Sequence, residues 1–174
     1  MRYFLLILLL MGLGHIGFAQ NGDFNHPSLL SFEEGLPPTI STGKNGSLKL
    51  SDLHYKHGKK SLMWKWRGER ALIFSQDIGF KPFDPSKEDK SIGSFAGWFY
   101  NEKPMADSLT FVFGTNQTEN CSFRMALNFK GWRGIWVAFE RDMKGKPVEG
   151  MNFMRIEAPQ GAAQGTLFLD HLFL

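Results

Sequence analysis

Residues 122–129 have the sequence Ser-Phe-Arg-Met-Ala-Leu-Asn-Phe, and residues 108–114 have the sequence Ser-Leu-Thr-Phe-Val-Phe-Gly. Apolar and polar side chains alternate in both stretches. Successive side chains of a β-strand point to opposite faces of the sheet, so this alternation predicts two half-buried strands. The same rule places Leu62, Trp64 and Trp66 together on one face of a third strand. The predicted core side chains of the first two strands are Leu109, Phe111, Phe113, Phe123, Met125, Leu127 and Phe129.

Short alternating segments continue along the chain, separated by Gly, Pro, Asn, Asp and Ser, and no segment has helical periodicity. Residues 81–90 contain two prolines and several charges and are predicted to form an exposed loop. Ten strands in a domain of this size predict an all-β fold with two packed antiparallel sheets, a jelly-roll β-sandwich. The predicted strands are 29–34, 47–51, 60–67, 71–76, 92–101, 108–114, 121–129, 132–140, 151–158 and 165–174.

The N-terminus has the composition of an export signal. Arg2 precedes an apolar run over residues 4–13, and small residues at Gly17 and Ala19 occupy the positions that a signal peptidase recognises. We predict a signal peptide over residues 1–19, a short leader over 20–28 and one β-sandwich domain over 29–174. The protein is therefore expected to be periplasmic or secreted, without a membrane partner, because ten apolar residues are too few to span a bilayer. Cys121 is the single cysteine, so no internal disulfide and no lipid-anchoring cysteine at the cleavage point are expected.

The charges are nearly balanced, with 20 Lys and Arg residues against 17 Asp and Glu residues. Basic residues cluster only over 56–60 and 65–70, and such clusters are usually solvated surface. We therefore predict no nucleic-acid partner. Clusters that fall on one side of the fold would nevertheless attract an anionic polysaccharide.

Catalytic patterns are weak in this sequence. His54 and His57 lack the companion ligands of a zinc site, Cys121 has no signature of a catalytic thiol, and no carboxylates are visibly paired. Aromatic residues stand out instead, with five tryptophans, although large aromatics in a β-sandwich are mostly core. No catalytic residue is predicted.

A structural cation site is a second hypothesis. Glu33 lies in the first predicted strand and Asp170 lies in the last one, and the chain ends of sandwiches often lie side by side. Two carboxylates with main-chain carbonyl groups would make an oxygen site suited to calcium. Such a site would fasten the chain ends and stabilise the fold without taking part in a reaction.

Four regions of the chain resemble the N-terminal domain of the chondroitin sulfate ABC lyases, and they follow one another in that family's order. The Tyr-Asn-Glu-Lys-Pro and Gly-Trp-Arg motifs are the most specific of them. The similar regions are 61–68 (Ser-Leu-Met-Trp-Lys-Trp-Arg-Gly), 97–104 (Gly-Trp-Phe-Tyr-Asn-Glu-Lys-Pro), 127–133 (Leu-Asn-Phe-Lys-Gly-Trp-Arg), and 156–159 with 164–170 (Ile-Glu-Ala-Pro and Gln-Gly-Thr-Leu-Phe-Leu-Asp).

The resemblance implies a galactose-binding-like jelly roll that precedes a helical toroid and further β-sheet domains, to which the elimination chemistry belongs. It also implies a divalent cation, expected to be calcium. The implied ligands are the side chains of Glu33 and Asp170 and the main-chain oxygens of Ser31, Lys60 and Met63.

Three hypotheses for function follow from these observations. In the first, the domain binds or positions chondroitin or dermatan sulfate for a lyase. In the second, it is a purely structural domain that packs on the missing toroid and β-sheet domains. An independent hydrolase, which needs paired carboxylates in a pocket, ranks third. The binding hypothesis names Arg67, Trp98 and Arg133 as carbohydrate contacts, with Lys59, Lys65, Arg70 and Arg124 as further candidates for sulfate or carboxylate groups.

Overall fold

The computed structural model describes residues 29–87 and 92–174. The predicted signal peptide and leader, residues 1–28, lie outside this range. The described chain forms twelve strands and one helical turn, α1 (Phe139–Asp142). The strands are β1 (Leu29–Leu30), β2 (Ile40–Thr42), β3 (Ser47–Ser51), β4 (Ser61–Arg67), β5 (Ala71–Phe74), β6 (Ser94–Asn101), β7 (Ser108–Thr115), β8 (Thr118–Ala126), β9 (Gly131–Ala138), β10 (Lys144–Gly145), β11 (Phe153–Glu157) and β12 (Gln164–Phe173).

The strands form two antiparallel sheets of six strands each. Sheet A has the order β3-β4-β12-β6-β9, and β1 pairs with the end of β12. Sheet B has the order β10-β8-β7-β11-β5-β2. Neighbouring strands are thus often distant in sequence, and the architecture is the predicted jelly-roll sandwich.

The core lies between the inner faces of the two sheets and is dominated by aromatic rings. Trp64 and Trp66 of sheet A are almost completely buried, as are Phe111 and Phe113 of sheet B. Phe111 packs edge to face against Phe99 of β6, with ring centroids 5.3 Å apart. Each such side chain contributes about 1.5–3 kcal/mol through burial alone, so these inner faces account for most of the cohesion between the sheets. The predicted alternation is confirmed, with Phe123 and Phe129 only partly buried.

The structure adds elements that the sequence pattern does not predict. β2 and β10 are strands of three and two residues at the two edges of sheet B, too short to show alternation. The predicted strand 132–140 is wrong at its C-terminal end, because the chain turns into α1 after Ala138. Residues 81–87 contain no strand, as expected, and 88–91 lie outside the described residues.

The predicted first strand is also too long. β1 ends at Leu30 because Phe32 adopts a positive φ of 63°, which turns its ring into the core, where it is 3% exposed. A positive φ is uncommon for a bulky residue and interrupts an extended strand. Between residues 29 and 174, apart from 88–91, no helix has the length and apolar character to cross a membrane.

Candidate functional site

A cleft of about 470 Å³ opens at one end of sheet A, where β4 and β6 end and β12 begins. Lys65 and Arg67 alternate along β4 with the buried Trp64 and Trp66, so their side chains point to the outer face of the sheet. Lys103 approaches from the segment after β6. The lining also includes Asn45, Ser47, Glu102, Gln164 and Thr166. The cleft therefore combines three cationic groups with amide and hydroxyl groups and a single carboxylate.

Two buried features shape this cleft. Asn101 is 1% exposed, and its amide group donates to the carbonyl oxygens of Leu127 and Phe129, both at 2.9 Å. Its side-chain oxygen accepts the N–H of Lys103 at 3.2 Å, which fixes the turn that carries this lysine. Gly165 lies opposite Trp66, and a Cβ at this position would come within 2.0 Å of the indole ring. Glycine is required here because the ring occupies the space of a side chain.

The segment of residues 52–60, here called the covering loop, packs on the outer face of sheet A beyond the cleft. His54 stacks on Tyr100 with ring centroids 3.8 Å apart and lies 3.4 Å from the Glu102 carboxylate. The Lys56 ammonium lies 4.3 Å from the centroid of the Trp98 ring. The covering loop thus occupies the middle of the face and separates the cleft from the other end of the sheet.

The Asp170 carboxylate anchors this loop. Its Oδ2 atom accepts the main-chain N–H groups of Lys56 at 2.6 Å and of His57 at 2.9 Å. The residue is completely buried, and burial raises the pKa of its carboxyl group, partly offset by the main-chain N–H groups of His57, Lys56 and His171. Within the described residues the Oδ1 atom has no hydrogen-bond partner. Buried oxygens of carboxylates are costly unless satisfied, so this atom is a position where a cation would be stabilised.

Glu33 reaches the same loop from the other side. Its Oε1 atom accepts the N–H groups of Lys59 at 3.0 Å and Lys60 at 2.8 Å, and the Lys60 ammonium donates to the Glu33 carbonyl oxygen at 2.9 Å. A Cβ at Gly58 would come within 2.4 Å of the Glu33 carboxylate, so the loop passes very close to it. The structure thus brings the two predicted carboxylate ligands to one loop, where both accept main-chain N–H groups.

The other three predicted ligands lie nearby in the fold. Leu30 pairs with Leu172, so Ser31 follows directly beside the end of β12. Lys60 immediately precedes β4, and Met63 lies within β4 between β3 and β12, opposite Phe168. No group of three or more His, Cys, Asp or Glu side chains with metal-binding geometry occurs in the described part of the chain. A cation here would depend on main-chain oxygens beside the two carboxylates, and the ligand set remains a prediction.

The structure does not bring the three predicted carbohydrate residues together. Arg67 lies in the cleft, whereas Trp98 lies further along the outer face beneath Lys56. Arg133 lies opposite the buried Phe99 and therefore points to the other side of the sheet. Its guanidinium carbon lies 4.1 Å from the centroid of the Phe129 ring, and the guanidinium donates to the Ala126 carbonyl oxygen at 3.2 Å. The Arg133 side chain therefore connects β9 of sheet A with the end of β8 of sheet B.

The other predicted basic contacts are also dispersed. Lys65 lines the cleft, but Arg70 donates to the carbonyl oxygens of Pro159 and Gln160. Arg124 lies on sheet B, 3.6 Å from the Asp107 carboxylate. Lys59 belongs to the covering loop, where its main-chain N–H bonds to Glu33. Three of these four residues thus make intramolecular contacts outside the cleft.

Two residues that matter to this face escaped the sequence analysis. Lys103 joins the cleft because β6 and β4 both flank β12, a pairing that local patterns do not reveal. Trp136 is 62% exposed on the outer face of β9, although composition alone does not distinguish it from the other tryptophans. Its alternation with Val137, which packs on the core, is the signal that could have found it.

The fold belongs to a class shared with carbohydrate-binding modules. The CBM22-1 xylan-binding domain of Paenibacillus barcinonensis superposes with a TM-score of 0.53 at 15% identity, over 83% of this chain and 90% of that domain. A family 11 module from Clostridium thermocellum, solved with a β-1,3-1,4-mixed-linked tetrasaccharide, gives a TM-score of 0.51 at 12% identity, over 83% and 92% of the two chains. At these identities the likeness establishes the β-sandwich fold alone.

Residues 26–174 match the family model described as "Lyase, N terminal", and the chain belongs to this family. It is 43% identical over 144 residues to a chondroitin sulfate ABC exolyase of Bacteroides thetaiotaomicron, and 38% identical over 146 residues to one of Proteus vulgaris. These alignments cover 83% and 82% of this chain. The chain spans only 14% of the length of either relative, and the region it matches is N-terminal. The predicted resemblance is confirmed.

Proposed function

We propose that this chain is a non-catalytic module of an exported glycosaminoglycan lyase that binds chondroitin or dermatan sulfate and presents it to the catalytic domains. The observation that carries the proposal is the cleft on sheet A with Lys65, Arg67 and Lys103. Within residues 29–87 and 92–174, none of these three groups forms an ion pair. Their charges are therefore available to an anionic ligand.

The chemistry of the cleft suits a sulfated polysaccharide. The arginine guanidinium can bind sulfate or carboxylate through two parallel hydrogen bonds, whereas lysine acts as a mobile point charge. Glu102 is the one acidic residue in the cleft, and its carboxylate lies beside His54. Amide and hydroxyl groups of Asn45, Gln164 and Thr166 add partners for sugar hydroxyl groups. A cleft with this balance favours anionic over neutral chains.

The relatives support both the ligand and the absence of catalysis. The curated relatives are named for chondroitin sulfate, an anionic polysaccharide, and this chain corresponds to a small part of them. We assign the elimination reaction to the remaining domains of a full-length lyase. The xylan-binding and tetrasaccharide-bound sandwiches support the view that this fold can present saccharide-binding surfaces.

Affinity electrophoresis in chondroitin sulfate, dermatan sulfate and a neutral polysaccharide tests the proposal. The purified chain should be retarded by the two sulfated polymers, and Lys65→Ala with Arg67→Ala should weaken binding about tenfold or more, since charge-assisted contacts contribute about 1.5–3 kcal/mol each. Lys144→Ala with Lys146→Ala is the matched control, because it removes two positive charges next to the edge of sheet B. Equal losses in the two double variants would show that net charge, and not the cleft, governs retention.

A structural role is the second candidate. Leu53 and Tyr55 of the covering loop are 72% and 46% exposed, and apolar side chains exposed together often mark contacts with another domain. If the module packs on a catalytic domain there, Leu53→Asp should lower the thermal stability of a full-length lyase without affecting polysaccharide retention by this chain. An unchanged melting temperature of the full-length variant would argue against this role.

We also propose a structural divalent cation, expected to be calcium, at Glu33 and Asp170 with main-chain oxygens of Ser31, Lys60 and Met63. The buried and unpartnered Asp170 Oδ1 supports it. Calcium should raise the melting temperature of the chelator-treated chain, and Asp170→Asn should abolish this increase. Unchanged melting curves with calcium and with chelator would refute the site. Polysaccharide retention with and without chelator then shows whether the cation also supports binding.

Export is proposed from the predicted signal peptide. Expression of the full-length reading frame in a Gram-negative host, followed by N-terminal sequencing of the periplasmic fraction, should give a mature chain that starts at Gln20. Retention of Met1 in the cytoplasmic fraction would contradict this.

A further inference from the structure

A second, shallower groove of about 360 Å³ lies at the opposite end of sheet A, on the outer face of β6 and β9. Trp98 pairs across the strands with Gly134, and Trp136 pairs with Ala96. Each indole therefore faces a residue with little or no side chain. The two tryptophans are diagonal neighbours that flank a floor of small residues, and His171 and Phe173 of β12 complete the lining.

The two indoles have different surroundings. The Trp98 ring is covered by the Lys56 ammonium and packs on Gly134, where a Cβ would approach the ring within 3.1 Å. The Trp136 side chain is 62% exposed, the highest exposure among the tryptophans of this structure. A rigid indole on a paired strand loses little conformational freedom on binding, because its backbone is already fixed. Trp136 is therefore a preformed flat apolar surface.

A hydrogen-bonded turn next to the strand supports this surface. The Asp142 carboxylate accepts the N–H of Ala138 at 2.9 Å and pairs with the Arg141 guanidinium at 2.7 Å. The hydrogen bond of Arg141 and the N–H of Ala138 lower the pKa of Asp142 to about 2, so this carboxylate stays ionised under ordinary conditions. The Arg141 guanidinium lies 5.6 Å from the centroid of the Trp136 ring. Asp142 already neutralises the charge of Arg141. The Lys56 ammonium, which lies over Trp98, is therefore the cationic group next to the groove that can bind an anionic ligand.

We propose that this groove is a stacking subsite for one sugar residue of the polysaccharide, with the apolar face of the sugar ring on Trp136 and its carboxylate or sulfate group towards Lys56. An aromatic surface beside a cation matches a ligand that combines an apolar ring face with a negative charge. The inference rests on the proposed polysaccharide binding and adds where a ring is held. The cleft and this groove lie on the same outer face, with the covering loop between them.

Titration of a defined chondroitin sulfate oligosaccharide tests this subsite. Trp136→Ala should weaken binding at least about fivefold, the scale of an interfacial residue that contributes more than about 1 kcal/mol. Trp136→Phe should retain most of the affinity because it keeps an aromatic face. Phe153→Ala is the matched control, since Phe153 is a partly exposed aromatic residue of β11, on sheet B. The slope of affinity against salt should be the same in Trp136→Ala as in the wild type, because no charge is removed.

Tryptophan fluorescence gives an independent readout. The ligand should shift the emission of the wild-type chain to shorter wavelength as Trp136 leaves water, and this shift should be absent in Trp136→Phe. If the wild-type chain binds and Trp136→Ala binds equally well, the subsite is refuted and the cleft stands. If the wild-type chain does not bind any sulfated polysaccharide, both proposals fail.

Discussion

The outer faces of the two sheets differ in how their charges are used. On sheet B, the Arg155 guanidinium pairs with the carboxylates of Glu119 and Glu157, the latter at 2.9 Å. On sheet A, Lys65 and Arg67 have no such partner in the described structure, and the tryptophans of β6 and β9 line a groove. A paired charge gains little from an external anion, because the existing pair must first be broken. The comparison therefore favours sheet A over sheet B as the face for the proposed binding.

The sheets also differ in what covers them. The covering loop crosses the outer face of sheet A and is fastened by the buried Asp170. The outer face of sheet B carries the cleft of Ile73, Asn116, Asn152 and Phe153, and among residues 29–87 and 92–174 no buried carboxylate anchors a loop there. Buried carboxylates are costly and persist where they organise main-chain donors. We infer that the burial of Asp170 lowers the stability of the fold somewhat and in return fixes the geometry of the covering loop on sheet A.

The largest expected effect concerns this anchor. Asp170→Ala should lower the free energy of unfolding by about 3 kcal/mol, because two hydrogen bonds to a carboxylate are lost and each contributes about 1.5–3 kcal/mol before the relief of its burial. Urea unfolding in the presence of a chelator measures this without any contribution from a cation. Glu119→Gln on sheet B is the comparison variant and should cost less than about 1 kcal/mol, as expected for an exposed pair. Equal costs in the two variants would remove the distinction between the faces.

The fold could be predicted from the sequence because alternation is local. The inward directions of Trp64 and Trp66 and the outward directions of Lys65 and Arg67 follow from period two alone. The same rule gives the direction of the Arg133 side chain but not its surroundings. Nothing in the local sequence shows that β9 is an edge strand, where a long inward side chain can reach Ala126.

The candidate site could be predicted only in part, because its assembly depends on distant contacts. The bond between Lys56 and Asp170 joins residues 114 positions apart, and it decides that the covering loop places Lys56 on Trp98. Short β10 and β2 and the turn at Phe32 depend on tertiary packing as well. Glu33 and Asp170 reach one loop because the first and last strands lie side by side, which is the arrangement that the sequence analysis expects for the chain ends.

An intermediate effect is expected when the pairs on sheet B are broken. Glu119→Gln with Glu157→Gln leaves Arg155 without its carboxylate partners and should increase retention on chondroitin sulfate about twofold at low salt, the scale of one exposed charge pair. The gain should vanish at about 0.15 M salt, where exposed charges are screened over about 8 Å. The same change introduced into Lys65→Ala with Arg67→Ala should not restore wild-type binding. Full restoration would mean that any unpaired cation suffices and that the architecture of sheet A is irrelevant.

The smallest effect concerns the inner side of sheet B, at its short edge strand. Cys121 of β8 is 3% exposed, and its sulfur lies 3.7 Å from that of Met143. Burial raises the pKa of its thiol from 9.0 to about 11, so little thiolate is present at pH 8 and a thiol reagent should label the native chain negligibly.

The unfolded thiol ionises near its ordinary pKa while the folded one keeps its proton, so this group stabilises the fold fully below pH 9.0 and less as the pH rises towards about 11. Labelling in urea should be complete and serves as the positive control. Rapid native labelling at pH 8 would show that β10, although hydrogen-bonded to β8 at Cys121, opens readily. The assumption that both sheets are rigid would then be valid for sheet A alone.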